Sequence, residues 1–557
     1  MGSEMCIRDR CLLPVPEIMH WNGGNLAVEH YSTTQKVIYY VRNLFAFGSL
    51  LSVAPFTLAY DWLTQKKVTL DSRREGPTFN FRCWPPEQRG FASSLFQTSG
   101  LGTKWSASPT LSGRCDWDEW MDDLQRVVHA DGFDYEDFFV DVLSDPTSYI
   151  EMLRSHNVTA HRFSLEWSVI EPRRGEIDRK AVALYRNFME ALINAGITPS
   201  VTVSHFAVPK WFYEMGEFQN LDNVNCYVNF ALHVMKLFPE VRDWWSFNEV
   251  GIKAFQQMRG VYPIRLPKGS SIGKRVHMAG ITIRNVLIAH CRLHKEVARL
   301  FPSKKLGVTH QWLKFDMASG NVMERLVRYF FEKAGFESVY GFFKEGRFVF
   351  AFPFLANVCF EVEKDEFALN GGFLMRLGVQ AYPKPMIKMG LSSGERVPCI
   401  PGGFQNSIFI FGASCERDGR LMRLGPRCSS RGVDEFLDEA FALTDEVYVT
   451  EYGADAMVCR WGDDVFVLDD AHQADYLKEL TQRIERYCVR TGREIKGIFC
   501  WRDLRRQLEW ENGLECQLGV IDPIVDENRQ LTHWRGTLAS TFLAEAYSKE
   551  DLQSSIA

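Results

Sequence analysis

A single (β/α)8 TIM barrel with long loop insertions is the α/β fold that this sequence predicts. From about residue 88 onward, short β-branched or aromatic runs alternate with longer amphipathic runs. Such alternation implies parallel strand pairing, and eight strand–helix units close naturally into a barrel. The chain has 557 residues, of which 46% are hydrophobic, enough for one large core with elaborated loops. We expect an N-terminal extension over 1–88, the barrel over 89–546 and a C-terminal tail over 547–557.

Eight segments have the length and composition of barrel strands. They are 90–97, 160–167, 198–206, 243–249, 305–312, 377–382, 446–453 and 495–501. Three intervening segments repeat apolar residues every three or four positions, which indicates amphipathic helices. These helices are expected at 178–196, 285–301 and 469–490. The stretches 313–372 and 402–440 are expected to be insertions in the barrel loops.

The composition excludes several classes of function. A net charge of −6 gives no reason to expect nucleic acid as a partner. The 14 cysteines include no Cys-x-x-Cys pair, which argues against a zinc ribbon or a disulfide-stapled fold and favours reduced thiols. We therefore expect a protein that is cytoplasmic, or associated with a membrane on its cytosolic side.

An uncharged apolar run at 44–60 distinguishes the N-terminal extension. A membrane-spanning helix needs about 20 apolar residues, so the length of this run is borderline, and Pro55 would kink a helix here. We expect a membrane-associated segment at about 37–60, as an anchor or a surface helix. The alternative is a hydrophobic hairpin packed on the barrel.

Polar and aromatic side chains gather where the predicted strands end. They are Gln97, Arg162, His205, Asn248, Glu249, Gln380, Tyr382, Glu451 and Trp501. In barrels of this type, the loops at the carboxyl ends of the strands build the site. Local hydrogen bonding explains any one of these residues alone, whereas the whole set predicts a site at this mouth.

Two of these residues, Glu249 and Glu451, are carboxylates on strands three apart in the ring, so they face one another across the mouth. Glycoside hydrolysis needs such a pair, because one group protonates the leaving oxygen while the other attacks or stabilises the anomeric carbon. Two like charges in a desolvated site also separate their pKa values. The alternative is a salt bridge for each, with Arg259 or Lys253 for Glu249 and Arg460 for Glu451. No His-Glu-x-x-His motif accompanies the pair, and we expect no metal and no other cofactor.

Five motifs follow one another along roughly 90–545. They are HRFSLEWSVIEP (161–172), TVSHFAVPKWF (202–212), SFNEVG (246–251), VTEYG (449–453) and LEWENGLECQLGVID (508–522). In this order they resemble the motifs of glycoside hydrolase family 1, the β-glucosidase-like retaining enzymes. SFNEVG is similar to the family's Thr-Phe-Asn-Glu-Pro, and VTEYG is similar to its Thr-Glu-Asn-Gly.

The resemblance implies a retaining β-glycosidase with Glu249 as acid/base and Glu451 as nucleophile. It implies that Arg162 lies beside Glu451 and keeps the pKa of that carboxyl low, and that Tyr382 orients the nucleophile. The implied substrate-binding residues are Asn248 at the sugar 2-hydroxyl, Gln97, His205 and Glu509 at other hydroxyls, Trp501 as a stacking floor and Trp510 as a further hydroxyl contact.

The substrate that the resemblance implies is a non-phosphorylated β-glucoside or β-galactoside, because the Glu509 carboxylate would repel a sugar phosphate. A lipid-linked glycoside stays open, since the pair His205-Phe206 resembles a branch that includes a membrane-anchored galactolipid-remodelling enzyme. Two alternatives are a transglycosidase and a catalytically silent sugar-binding protein on the same scaffold.

The sequence departs from the family pattern at four places. Val250 stands where Pro is usual, and Tyr452 and Gln380 stand where Asn is usual. The segment 501–509 is one residue longer than in the family and carries three Arg. These changes bear on substrate specificity more than on the type of reaction.

Overall fold

The computed structural model describes the barrel, most of its insertions and two strands of the N-terminal extension. The described residues are 17–21, 26–30, 86–108, 110–121, 139–260, 262–267, 270–312, 314–317, 320, 322–352, 356–382, 385–389, 409–414, 421–422, 432–460, 465–468, 470–510, 517–526 and 531–548.

Eight parallel strands close into a barrel in the order of the chain. They are Gln88–Ala92, Ala160–Ser164, Thr198–Ser204, Asp243–Phe247, Lys305–Gln311, Arg376–Ala381, Val447–Tyr452 and Gly497–Trp501, numbered here as barrel strands 1 to 8. Strand 8 pairs with strand 1 and completes the ring. Nearly all strand residues are buried, as expected for a parallel sheet with side chains packed on both faces. The predicted (β/α)8 barrel is confirmed.

Strand 1 ends earlier than the sequence predicts. The predicted strand 90–97 is split, because the strand stops at Ala92 and a short helix forms over Leu95–Ser99. A short apolar run does not distinguish a strand from a buried helical turn. Gln97 consequently lies on a helix above the strand rather than at its end.

Helices alternate with the barrel strands and fill the inserted loops. They are Leu95–Ser99, Trp117–Trp120, Thr147–Ser155, Trp167–Ile170, Arg179–Asn194, Lys210–Glu214, Val224–Leu237, Ile252–Arg259, Ile272–Leu300, Val322–Glu332, Ser338–Glu345, Lys364–Leu369, Gly432–Phe441, Asp470–Thr491 and Leu538–Tyr547. Single turns of 3-10 helix occur at Glu217–Gln219, Leu221–Asn223 and Gly371–Phe373, and a π-helical turn occurs at Lys333–Glu337.

Local chemistry sets the ends of the predicted helices. Arg179–Asn194 begins where the Asp178 carboxylate accepts the backbone N–H of Lys180 at 2.7 Å, a typical N-cap. It ends just before Gly196, whose φ of 77° is left-handed. The helix predicted at 285–301 starts earlier, at Ile272, where the Ser271 side chain caps it.

Smaller sheets flank the barrel. One has the strand order Leu26–His30, Glu17–Trp21, Ala356–Val362 and Arg347–Phe352, so two strands of the N-terminal extension pair with the predicted insertion 313–372. A second has the order Leu421–Met422, Phe409–Ser414, Pro385–Met389 and Asp316–Met317. Two hairpins pair Met457–Arg460 with Val465–Leu468 and Ile521–Val525 with Leu531–Gly536. The domain boundaries at 88/89 and 546/547 stay predictions.

The helix Leu538–Tyr547 stabilises the seam between barrel strands 8 and 1. The Tyr547 hydroxyl donates to the Gly90 carbonyl at 3.1 Å and shares a 2.8 Å hydrogen bond with the Tyr452 hydroxyl. The Arg89 side chain donates to the Tyr547 carbonyl at 2.6 Å. Since all four residues are buried, the end of this helix is part of the closed ring.

In the described part of the chain, no helix is both long enough and apolar enough to cross a bilayer. The segment 37–60 lies outside the described residues, so its membrane association stays a prediction. The same residues contain no cluster of His, Cys, Asp and Glu side chains suited to a metal ion. Six described cysteines, Cys115, Cys226, Cys291, Cys359, Cys488 and Cys500, are free thiols.

Candidate active site

Glu249 lies two residues beyond barrel strand 4, in a buried turn at the mouth of the barrel. Its backbone is left-handed, with a φ of 47°, an uncommon conformation for a residue other than glycine. Two hydrogen bonds to Thr309 of strand 5 hold this turn. The Glu249 N–H donates to the Thr309 hydroxyl at 3.0 Å, and the Val250 N–H donates to the Thr309 carbonyl at 3.3 Å. A proline at position 250 could not make the second bond.

The surroundings of Glu249 favour its protonated form. Burial raises the pKa of this carboxyl well above its usual range, and the negative charges of Glu451 and Glu509 raise it further. Arg162 opposes this rise only in part. A carboxylic acid that keeps its proton near neutral pH can serve as a general acid.

Glu451, on barrel strand 7, has different partners. Its Oε1 accepts a hydrogen bond from Arg162 Nη1 at 2.7 Å, and its Oε2 accepts one from the Tyr382 hydroxyl at 3.0 Å. Burial raises the pKa of Glu451, whereas Arg162 and Tyr382 lower it. The net direction is upward, so it differs from the expectation that Arg162 keeps this pKa low, because burial outweighs the ion pair. Glu451 nevertheless has the stronger support for an ionised form, since both of its hydrogen bonds stabilise the charge.

The Asn248 side chain joins four neighbours at the centre of the site. Its Oδ1 accepts hydrogen bonds from Arg162 Nη2 at 2.7 Å, Gln380 Nε2 at 2.8 Å and the Thr309 hydroxyl at 3.1 Å. Its amide nitrogen lies 3.2 Å from His205 Nε2. With three donors around the oxygen, the amide orientation is defined, and the nitrogen is directed to the side of His205.

Near-parallel aromatic rings pack beside this network. The rings of His205 and Trp501 stack with centroids 5.3 Å apart and planes 11° apart. Burial and the charges of Arg162 and Arg502 lower the pKa of His205 well below its usual value, so the ring is neutral. Trp510 stacks on Phe96 at 5.1 Å. Stacked faces of this kind suit the apolar face of a sugar ring.

Gln97 and Glu509 form a second polar group at the mouth of the barrel, apart from the network around Asn248. Gln97 Nε2 donates to Glu509 Oε2 at 3.1 Å and to the Leu508 carbonyl at 2.7 Å. The Gln97 Oε1 atom is buried without a hydrogen-bond partner among the described residues. Burial raises the pKa of Glu509 to about 7. The two side chains therefore offer acceptor atoms to a ligand rich in hydroxyl groups.

The salt bridge proposed as an alternative for Glu249 is not formed by Lys253. The Lys253 ammonium instead contacts Asp116 Oδ2 at 3.2 Å and Glu217 Oε2 at 2.7 Å. The side chains of Arg259 and Arg460, which were the other candidates, lie outside the described residues.

All ten predicted site residues lie at the carboxyl-end mouth of the barrel or directly against it, and most of them contact one another. Trp510 lies within an aromatic cluster with Phe96, Trp117, Phe206 and Tyr262, 6.1 Å from the His205 ring. Of the four departures, Gln380 enters the hydrogen-bond network, whereas Tyr452 turns its hydroxyl to Tyr547 and away from Glu451.

Three residues of the site were missed by the sequence reasoning. Thr309 holds both Asn248 and the turn at Glu249, and its position near the end of a predicted strand was the available signal. Glu166 accepts the Phe96 N–H at 3.0 Å and so fixes the helix that carries Gln97. Arg502 pairs with Glu509 at 3.1 Å, a contact that only the fold shows.

Comparisons with known proteins point to one family. The model of the family "Glycosyl hydrolase family 1" matches residues 93–360. A 1,4-beta-D-glucan glucohydrolase of Thermotoga neapolitana is 24% identical over 391 residues, covering 68% of this chain and 85% of the relative. A 6-phospho-beta-galactosidase of Streptococcus mutans is 27% identical over 224 residues, covering 40% of this chain and 44% of the relative.

Solved structures show the same fold. The family 1 β-glucosidase from Thermotoga maritima has a TM-score of 0.62 at 20% identity and covers 85% of this chain and 100% of its own. A GH1 β-glucosidase from the fungus Humicola insolens has a TM-score of 0.64 at 21% identity and covers 83% and 98%. The matched segment, the relatives and the closed barrel all point to glycosyl hydrolase family 1, which this chain resembles at low identity.

Proposed function

We propose that the protein is a retaining β-glycosidase that hydrolyses non-phosphorylated O-linked β-D-glycosides by double displacement. The observation that carries the proposal is the unequal environment of two buried carboxyls. Glu451 receives two hydrogen bonds that favour its charge, whereas burial and neighbouring charges keep the proton on Glu249. A retaining glycosidase needs this division between nucleophile and acid.

In the first proposed step, a Glu451 oxygen attacks the anomeric carbon while Glu249 gives its proton to the departing glycosidic oxygen. The C–O bond to the aglycone breaks, and a covalent glycosyl ester on Glu451 forms. In the second step, Glu249, now ionised, takes a proton from water, whose oxygen attacks the anomeric carbon and releases Glu451. Arg162 and Tyr382 position the nucleophile through the two bonds described above.

The proposed sugar pocket is built for an uncharged glycone. The Asn248 amide is the candidate donor to the sugar 2-hydroxyl, and the buried Gln97 Oε1 is a candidate acceptor. Trp501 supplies the stacking face beside His205. The Glu509 carboxylate would repel a sugar phosphate, which supports a non-phosphorylated substrate even though some relatives are 6-phospho-beta-galactosidases.

Turnover of aryl β-glycosides by the full-length protein tests this proposal. We expect release of the aryl alcohol from a β-glucoside or β-galactoside, and its loss in Glu451→Gln. In Glu249→Gln, kcat/KM for substrates with poor leaving groups should fall by roughly 10²–10⁴-fold, and much less for a dinitrophenyl glycoside, which needs no acid. The exposed Glu176 gives a matched control, Glu176→Gln, with unchanged rates.

A mechanism-based 2-deoxy-2-fluoro glycoside should label Glu451, as shown by peptide mass spectrometry. A folded protein that turns over none of these substrates would contradict the proposal, as would equal rates for wild type and Glu451→Gln. Faster turnover of 6-phosphoglycosides would contradict the substrate assignment alone. Product analysis with added alcohols or lipid acceptors separates hydrolysis from glycosyl transfer.

A further inference from the structure

Arg502 is a buried cation next to the proposed sugar pocket. Its side chain is 1% exposed and follows Trp501 directly in the chain. Arg502 Nη2 donates to Glu509 Oε2 at 3.1 Å and to the Leu508 carbonyl at 2.9 Å, and its guanidinium carbon lies 5.5 Å from the Trp501 ring centroid. Burying a guanidinium is costly unless it is paired, so this placement calls for an explanation.

The Glu509 carboxylate receives donors from both sides of the pocket edge. Arg502 Nη2 and Gln97 Nε2 each lie 3.1 Å from the same oxygen, Oε2, and the Trp501 side chain also donates to this carboxylate. A carboxylate has about four acceptor positions. With these donors in place, its rotamer is fixed and its remaining acceptor capacity is left for a ligand.

The charges around Glu509 determine how readily this carboxyl ionises. The titratable groups that act on it or that it acts on are Arg502, Glu451, Glu249 and Tyr382. Two of these are carboxyls, which disfavour a charge on Glu509, whereas Arg502 favours it. Burial raises the pKa of Glu509 to about 7, and Arg502 is the largest influence that lowers it.

We propose that Arg502 is a positioning residue for glycone recognition, which clamps the Glu509 carboxylate together with Gln97 so that it accepts a hydrogen bond from an uncharged sugar hydroxyl. The inference rests on the proposed function for its substrate class, and it assigns a role to the lengthened segment 501–509. Arg502 acts through Glu509 and not on the reacting bond. Its loss should therefore weaken glycone binding more than it slows chemistry.

The test is the affinity for phenyl 1-thio-β-D-glucoside, a neutral and slowly hydrolysed glycone probe, measured by titration calorimetry on the full chain. In Arg502→Met, we expect Kd near neutral pH to rise on the order of tenfold or more, because a charge-assisted hydrogen bond to Glu509 is lost and the carboxyl gains a proton. Without the cation the pKa of Glu509 rises, so binding should recover as the pH is raised. Arg502→Lys, which keeps the charge, should restore part of the affinity.

Arg506→Met is the matched control, since Arg506 belongs to the same loop but is exposed. A double-mutant cycle with Glu509→Gln isolates the pair, and Arg502→Met should have little further effect in that background. Thermal unfolding of each variant checks folding, and Arg502→Lys carries the test if the methionine variant does not fold.

Unchanged affinity and pH dependence in both Arg502 variants would overturn the inference. A wild type that prefers an anionic probe, phenyl 1-thio-β-D-glucuronide, and loses that preference in Arg502→Met would also overturn it, because Arg502 would then bind the ligand directly. Binding is read without turnover. A protein that binds the neutral probe in this Arg502-dependent way but hydrolyses nothing would refute the proposed function and leave the clamp standing.

Discussion

Replacing Tyr382 with Phe removes one defined hydrogen bond from the proposed nucleophile and little else. The Tyr382 hydroxyl donates to Glu451 Oε2 at 3.0 Å, and the ring is buried, so the phenylalanine ring fits the same space. A hydrogen bond to a charged group is worth about 1.5–3 kcal/mol. At 1.36 kcal/mol for each factor of ten, kcat/KM should fall by roughly 10- to 150-fold.

The pH dependence gives an independent reading of the same change. Tyr382 lowers the pKa of Glu451 by stabilising its charge. Without that bond the pKa rises, so a larger fraction of the nucleophile is protonated at a given acidic pH. The acidic limb of the kcat/KM profile should therefore move to higher pH in Tyr382→Phe.

Tyr452→Phe is the matched control for this experiment. Its hydroxyl is also buried and makes a 2.8 Å hydrogen bond, but to the neutral Tyr547 hydroxyl and not to a carboxyl. We expect Tyr452→Phe to lower the unfolding temperature and to leave the pH–rate profile in place. An unchanged acidic limb in Tyr382→Phe, or an equal shift in both variants, would refute the reasoning.

Two further changes test the surroundings of Glu249, the proposed acid/base. Lys253→Met leaves Asp116 and Glu217 buried without their cation and should cost about 3–5 kcal/mol of unfolding free energy. Burial already raises the pKa of Glu217 to about 7, and losing the cation raises it further, so the folded state binds more protons than the unfolded state. The stability contributed by these groups then falls as pH rises. Urea titrations at about pH 6 and about pH 8 should therefore show that Lys253→Met loses more unfolding free energy, relative to wild type, at the higher pH. An equal loss at both pH values would count against buried carboxylates as the cause. Val250→Pro removes the 3.3 Å hydrogen bond to the Thr309 carbonyl and disfavours the left-handed backbone of the preceding residue, so kcat should fall. Val250→Ala, the control, should keep its activity. A proline variant as active as wild type would show that the turn tolerates the family's usual residue.

Strong local patterns made the barrel predictable. Segments such as 198–206 are β-branched runs with clear boundaries, and the observed strand Thr198–Ser204 lies within that prediction. The two carboxylates were identified because barrel topology turns strand ends into a shared site. Helix 179–194 was similarly predictable, since its cap and its periodicity agree.

Long-range pairing limited the remaining predictions. The run 90–97 mixes apolar residues with two serines and a glutamine, so its pattern is ambiguous. The contact of Glu166 with the Phe96 N–H, which favours a helical turn there, joins segments 70 positions apart. The alternative that pairs Glu249 with Lys253 is wrong, because Lys253 contacts Asp116, which lies 137 positions away in the chain. The Arg502–Glu509 pair is close in sequence, but its geometry depends on how the loop folds against Gln97.

The seam held by Tyr547 has a consequence for biosynthesis. The hydrogen bond from Arg89 to Tyr547 joins residues 458 positions apart, so barrel strand 1 lacks this support until the helix Leu538–Tyr547 has left the ribosome. Closing so long a loop costs chain entropy before its contacts form, which makes folding slow. During translation, strand 1 presents an unpaired edge of the kind that promotes aggregation. Soluble yield should therefore improve with slower synthesis at low temperature or with added chaperones. A truncation that removes Tyr547 should destabilise the barrel, because the hydrogen bonds across the seam are lost.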